Sequence, residues 1–428
     1  MADELRLGIA GLGTVGTGVI KIIEKNPGLL KARCGRSISI KAVSARSRTK
    51  PREIDISGYE WENEPAALAR RSDIDVYIEL IGGERGSAKD SVEAALATGK
   101  HVVTANKAML AAHGQSLAEA AEESGLALRF EAAVAGGIPV VKVLSESMAA
   151  NRISRVLGVM NGTCNYILTR MESSGLSYDE VFAEASGLGY LEADPTLDVG
   201  GIDSGHKLAL LASIAFGTRV NFAGMEIEGI DRVSITDIEQ ARDMGFRIKL
   251  LGVASMTDKG LEQRTQPCLV PMDSPLGQLE SATNMIVLEG DAAGQVFLRG
   301  AGAGEGPTAS SVMSDVMELA RGQKATTFGQ PAKSLANANP VSSNLPAPFY
   351  LRMALKDQAG VLAMIASALG DSGVSINRMR QYRHEGEAAP VIMVTHKTSP
   401  ANIAKAISRI KKSDVVMEEP VSIRIEEI

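Results

Sequence analysis

The chain has 428 residues, 45% of them hydrophobic and 22% charged, with 45 basic against 51 acidic residues and a net charge of −6. That length allows two or three domains with cores of their own. The acidic balance without a basic stripe argues against nucleic acid as a partner, and no apolar run reaches the length of a membrane span.

The first 135 residues alternate short apolar runs with helical patterns, the signature of a Rossmann-type, doubly wound parallel sheet in an α/β chain. Strands are expected at Leu5–Ala10, Ile38–Val43, Val76–Ile81, His101–Thr104 and Ala127–Glu131. In "LRLGIAGLGTVG" the glycines Gly11, Gly13 and Gly16 follow a strand and open a helix, with Thr14 and Val15 in the turn. This spacing gives a tight turn, a close backbone approach to a pyrophosphate, and close helix–strand packing. Helix N–H groups then face the phosphates.

After the second strand comes "AVSARSRTKPRE", with Arg46, Arg48 and Lys50 and no acid before Glu53. Cations at this position suit a 2′-phosphate, so NADP is expected over NAD; a solvated basic loop is the plainer reading. "GKHVVTANK" sets Lys107 at the carboxyl end of a strand, where open parallel sheets bind ligands. A surface lysine would look the same.

Residues 136–322 read as an α+β substrate or dimerisation domain, with helices such as Thr163–Glu172 and Asp203–Phe216 and strands such as Ile153–Val159 and Arg247–Ala254. The stretch 323–347 is rich in Gly, Pro, Ser and Asn and reads as a linker. Residues 348–428 read as an independent α/β module. Within the second part, "LEADPTLDVGGIDSGHK" gathers Glu192, Asp194, Asp198 and Asp203 with one cation, Lys207. Asp203 reads as a helix N-cap, and Lys207 falls four residues on along the same face. Such a pair is either an ordinary surface contact or a proton donor beside carboxylates that hold a substrate ammonium. His206 points off that face. Cys164, in "NGTCNYIL", raises the alternative of a thiol nucleophile, as in a phosphorylating aldehyde dehydrogenase.

The motifs "GLGTVG", "GKHVVTANK", "NGTCNYIL" and "GYLEADPTLDVGGIDSGHK", in this order and spread over the chain, resemble those of homoserine dehydrogenases. The resemblance implies reversible NAD(P)-dependent reduction of L-aspartate 4-semialdehyde to L-homoserine. By it Lys207 donates a proton to the carbonyl oxygen, Lys107 holds substrate and cofactor, Glu192 binds the substrate amino group, and Asp203 orients substrate and Lys207. Asp198 joins the substrate-binding acids. "FEAAVAGGIP" resembles a monovalent-cation loop, implying sodium held by Glu131 and the carbonyls of Val134, Gly136 and Ile138. "GAGAGEGPTA", near 301–322, resembles a segment that returns to the cofactor, with Gly304 the residue implied. "LRMALKDQAGVLAMIASALGDSGVSINRMRQ", with Asp357, Gly360 and Asn377, resembles an ACT domain of ferredoxin-like fold. That implies an amino-acid effector, threonine, and a homodimer or homotetramer; a ligand-free dimerisation module is the alternative. The remaining alternative function is a non-catalytic sensor of NADP and an amino acid. The three cysteines, Cys34, Cys164 and Cys268, are too scattered for a disulfide framework, and "MADELRLGIAGLG" has acids where a secretion leader carries cations, so a reducing, cytoplasmic compartment is expected.

Overall fold

The computed structural model describes residues 4–191, 194–382 and 386–427. Its N-terminal sheet has six parallel strands in the order Glu60–Glu62, Ser37–Ser44, Glu4–Ala10, Val76–Glu79, His101–Thr104, Leu128–Arg129. Helices cover both faces, so the strands read as nearly continuous apolar runs such as "LRLGIA". The strand order reverses between Glu4–Ala10 and its neighbours on either side, and the crevice at the carboxyl ends there is where such sheets take ligands.

Part of the cover comes from far along the chain. Helix Glu305–Ala320 lies against helix Thr14–Lys25, so closely that a Cβ on Gly18 would stand 2.7 Å from Glu305 Cγ. Ala309, Val312 and Val316 share a core with Leu7, Ile9 and Val19.

A second sheet runs in the order Gly294–Ala301, Thr283–Gly290, Ile153–Val159, Phe246–Thr257, Gly260–Pro271, and continues through Val421–Ile425, Phe349–Lys356, Ala388–Thr395 and Ile376–Gln381. The last four strands, with helices Val361–Gly370 and Pro400–Lys411, form the βαββαβ order of a ferredoxin-like module. This module is not the independent body its sequence suggests. Its last strand pairs in parallel with Gly260–Pro271, matching Cys268 to Arg424 and Leu269 to Ile425. Its sheet face, through Tyr350, Ile392, Val394 and Ile425, packs into one core with Ile238, Phe246 and Val199.

The stretch 323–347 connects the two parts but is no free linker. Phe328 and Ala332 are fully buried. Phe328 stacks on Phe130, with ring centroids 5.5 Å apart. The Thr327 and Ala332 amides donate to the Glu122 carboxylate. Its Gly and Pro content reflects turns in a strap pinned by a few apolar anchors, which composition averages away.

Candidate active site

Each charged group of the site is delivered by a helix start. Lys107 opens helix Lys107–Glu123 directly after strand His101–Thr104, and the Asn106 side chain caps that helix by accepting from the Met109 amide at 3.1 Å. Asn106 is itself tied to Thr104 Oγ1 and to the Gly83 carbonyl. Lys207 lies one turn into helix Ile202–Phe216. Gly201, in the left-handed conformation at φ 81°, precedes that helix. Asp203 is therefore not the N-cap its sequence position suggests; it sits in the first turn and spends its carboxylate on lysines.

The two lysines meet on Asp203. Lys207 Nζ donates to Asp203 Oδ2 at 2.7 Å and to the Met160 carbonyl at 2.8 Å. Lys107 Nζ stands 3.1 Å from Asp203 Oδ1. Burial acts to raise the Asp203 pKa, but the Lys207 and Lys107 ammoniums and the Asn161 amide outweigh it and hold the carboxyl well below the usual carboxylate range. Lys207 and Asp203 are buried, whereas the Lys107 side chain is 29% exposed and reaches the site from the dinucleotide-binding side.

Asn161, which the sequence reading passed over, joins the acids. Its Nδ2 donates to Asp198 Oδ1 and Asp203 Oδ2, both at 2.9 Å, while its Oδ1 caps helix Gly162–Ser174 at the Cys164 amide. Asn284 donates to the same Met160 carbonyl that holds Lys207. An asparagine just before an expected helix is the N-cap signal that could have found Asn161; Asn284 carries no such signal. Replacing Asn161 with Ala is expected to cost about 1 kcal/mol through the lost cap. It is also expected to slow turnover on the order of tenfold, since about 1.4 kcal/mol of misplaced charge suffices for that. Chemical denaturation and steady-state kinetics read the two effects separately.

Of the four acids, Asp198 and Asp203 enter the site. Asp194 caps its own turn at Thr196. Glu192 lies outside the described residues; the preceding Tyr190 carbonyl accepts from Thr163 Oγ1 at 2.9 Å, beside the start of helix Gly162–Ser174. Cys164 is fully buried, with its thiol donating to the Asp198 carbonyl. Burial, reinforced by Asp198, pushes that thiol well above its ordinary pKa, the reverse of what a nucleophile needs. His206 stacks on Phe222 with centroids 4.3 Å apart, and burial lowers its pKa.

A groove of about 840 Å³ lies along the glycine turn, lined by Gly11, Gly13, Ser44, Arg46, Lys50 and Arg52 among others. Gly11 has φ 100°, and a Cβ there would stand 2.3 Å from the Leu80 carbonyl oxygen; one on Gly16 would stand 2.0 Å from that of Gly11. A Cβ on Gly13 would meet nothing within 4 Å, so this position is open toward the groove, beside exposed Thr14 and half-buried Val15. The turn thus has the bare backbone and helix N-terminus that a dinucleotide pyrophosphate requires. Arg48 does not line the groove but lies over the Trp61 ring at 5.9 Å. Arg52, which the sequence reading did not single out, ties the basic loop to the glycine turn through the carbonyls of Leu12, Ser47 and Lys50. Glu53 pairs with Lys21. Gly304, at φ 111°, heads helix Glu305–Ala320 and is not among the groove's lining residues.

In the loop after Phe130, the Glu131 carboxylate accepts from the amides of Val141 and Lys142, the Gly136 carbonyl from Ser311 Oγ, and the Ile138 carbonyl from the Val140 amide. Val134 lies between them, fully buried. Burial and neighbouring Asp315 push the Glu131 pKa up to about 8. Three buried carboxylates, Glu131, Asp315 and Glu318, here face the two cations Lys142 and Arg129.

The chain is similar to known proteins along nearly its whole length. Residues 11–131 match the family model for the NAD-binding domain of homoserine dehydrogenase, 139–317 the model for homoserine dehydrogenase, and 349–414 that for the ACT domain. The homoserine dehydrogenase of Neisseria gonorrhoeae is 39% identical over 99% of each chain. The crystal structure of a homoserine dehydrogenase from Thiobacillus denitrificans superposes with a TM-score of 0.93 at 38% identity, covering 99% of this chain and 98% of that one. A hyperthermophilic archaeal homoserine dehydrogenase in complex with NADPH superposes at a TM-score of 0.64 and 26% identity, covering 74% of this chain and 97% of that one.

Proposed function

The chain belongs to the homoserine dehydrogenase family, an NAD(P)-dependent oxidoreductase of amino-acid biosynthesis, and from that premise we propose how its own residues divide the work of reducing L-aspartate 4-semialdehyde to L-homoserine. The observation that carries the proposal is the Lys107–Asp203–Lys207 contact, in which ammoniums from two domains share one buried carboxylate.

The bound nicotinamide supplies the hydride. Lys207 delivers the proton to the aldehyde oxygen, and its Nζ is aimed by Asp203 and the Met160 carbonyl. Lys107 steadies the growing negative charge on that oxygen from the cofactor side. Asp198 and Glu192 take the substrate ammonium. In the reverse direction Lys207 accepts the hydroxyl proton. A non-catalytic sensor would have no use for two lysines on one buried carboxylate. Steady-state turnover of L-homoserine tests the assignment, because loss of either lysine should lower turnover rather than only substrate affinity.

The pyrophosphate falls to Gly11, Gly13 and Gly16 with Thr14 and Val15, and a 2′-phosphate to Arg46 and Lys50, which favours NADP over NAD; the NADPH bound by the archaeal relative is consistent with this. The double replacement R46A/K50A is expected to raise the KM for NADP on the order of a hundredfold, the worth of two charge-assisted contacts, and to leave the KM for NAD nearly unchanged. An equal effect on both cofactors would remove the basic loop from the 2′ position.

Glu131 and the carbonyls of Val134, Gly136 and Ile138 offer hard oxygens, and the hydrogen bonds at Glu131, Gly136 and Ile138 leave each of those a further lone pair. Arg129 and Lys142 are already paired with Glu318 and Asp315, so a monovalent ion such as sodium would be the group that holds Glu131 ionised against the burial that raises its pKa. Thermal unfolding in sodium chloride should then lie above that in tetramethylammonium chloride at equal ionic strength, and Glu131→Gln should erase the difference. Identical midpoints for the native protein would leave Glu131 as a purely structural cap. The ACT-like module fits an amino-acid effector, with threonine as the end product to try, in a homodimer or homotetramer. The three free, buried cysteines suit a reducing cytoplasm, and among the described residues no helix is long and apolar enough to cross a membrane.

A further inference from the structure

The N-terminal sheet carries, at the centre of its carboxyl edge, a buried acid that the reaction itself does not use. Glu79 closes strand Val76–Glu79, opposite Ala10 on one side and Thr104 on the other, and is fully buried. A carboxyl group so placed is costly unless its oxygens find donors. Its Oε1 accepts from the Ile81 amide at 2.7 Å and from the Gly82 amide at 3.1 Å. Its Oε2 accepts from Thr104 Oγ1 at 2.5 Å.

These contacts belong to a closed ring. Thr104 Oγ1 accepts in turn from the Asn106 amide at 2.9 Å, and Asn106 Nδ2 donates to the Gly83 carbonyl at 2.7 Å. Gly83 follows Gly82, so the hydrogen bonds return to the segment that Glu79 already holds. Two loops are thereby fastened to one side chain. In the first, Leu80, Ile81 and Gly82 line the dinucleotide groove. The Leu80 carbonyl oxygen also lies only 2.3 Å from where a Cβ on Gly11 would stand, so this loop abuts the glycine turn. The second, Thr104 to Asn106, leads directly into Lys107 at the head of its helix. Gly82 and Gly83, at φ 83° and 90°, lie outside any helix or strand, so the ring and not a sheet ladder holds them.

We propose that Glu79, acting through Thr104 and Asn106, is a positioning residue that sets Lys107 and the cofactor-lining loop in register with each other. The proposal rests on reading Lys107 as the group that steadies the substrate oxygen. Lys107 reaches the buried Asp203 carboxylate from the dinucleotide-binding domain, so the placement of its helix start decides where its ammonium stands. A carboxylate suits the post because both of its oxygens accept, and each loop brings donors to one of them. A cap on a single loop would need only one such oxygen. Spanning the two loops makes a shift of Ile81 and Gly82 against the cofactor felt at Asn106, and a buried network with its members bonded in a ring resists that shift.

The test is steady-state kinetics of the full-length protein with L-homoserine. Thr104→Val keeps the side chain's shape but removes the hydroxyl, opening the ring between Glu79 and Asn106. It should lower kcat on the order of tenfold, as a displaced catalytic group does, with the KM for NADP near native. Thr104→Ser, which restores the hydroxyl, should recover most of that loss. Glu79→Ala frees both loops, and should add a rise in KM by similar factors for NADP and NAD, since Ile81 and Gly82 are no part of the basic loop. The decisive comparison is a double-mutant cycle with Lys107→Ala. If Thr104 acts through Lys107, adding Thr104→Val to Lys107→Ala should lower kcat no further. A second tenfold loss in that background would make the ring a general support and overturn the proposal, as would native kcat in Thr104→Val. Native turnover in Lys107→Ala alone would overturn the reading of Lys107 and the proposal with it.

Discussion

Lys207→Ala is expected to lower homoserine turnover by a factor on the order of 10² to 10⁴, the usual worth of a positioned general acid, while the dissociation constant for NADPH barely moves. The separation follows from geometry. Lys207 is held by Asp203 and the Met160 carbonyl, both within the catalytic part, and contacts nothing in the groove along the glycine turn. Stopped-flow measurement of single-turnover hydride transfer, with cofactor titration by fluorescence, distinguishes a lost proton donor from a lost binding site. Near-normal turnover would place the acid elsewhere.

Asp203→Ala should damage stability as well as chemistry. The substitution removes the carboxylate to which buried Lys207 donates and which Lys107 also contacts, and removing one partner of a buried pair costs about 3–5 kcal/mol. The native Asp203 escapes the penalty of its own burial because both ammoniums and the Asn161 amide hold it ionised. A lowered midpoint in thermal unfolding, together with turnover at or below that of Lys207→Ala, is the expected pair of results. Asp203→Asn should fall between, since an amide oxygen still accepts from Lys207 but carries no charge. An alanine variant that unfolds at the native temperature would mean the two lysines are not balanced by this carboxylate.

What could be read from the sequence was what lies close together in it. The glycine turn is a matter of spacing within six residues, and Asp203 with Lys207 is a matter of one helical turn, so both were legible. The Met160 carbonyl acts on Lys207, and Asn161 on Asp203, from the end of another strand, and Asn284 acts from a third; the N-cap position marks Asn161 as a helix start but nothing local ties any of the three to the lysine. Arg46 and Arg48 look alike within one basic run, and only the position of Trp61, an aromatic face for one of them, tells them apart. The parallel pairing of Cys268 with Arg424, more than 150 residues away, is a tertiary contact with no local pattern, and it turned an expected independent module into an extension of the catalytic sheet. In 323–347 the turn-forming residues hid Phe328, whose burial depends on Phe130 rather than on its neighbours.

The central claim is that Lys207, aimed by Asp203, protonates the substrate oxygen as hydride arrives. Its most direct test follows the nicotinamide absorbance of purified protein with L-homoserine and NADP⁺, for the native chain and Lys207→Ala side by side. Homoserine-dependent reduction that collapses in the variant, with NADPH still bound at native affinity, is the predicted result. Undiminished reduction by the variant, or no homoserine-dependent reduction by the native protein with either cofactor, would contradict it.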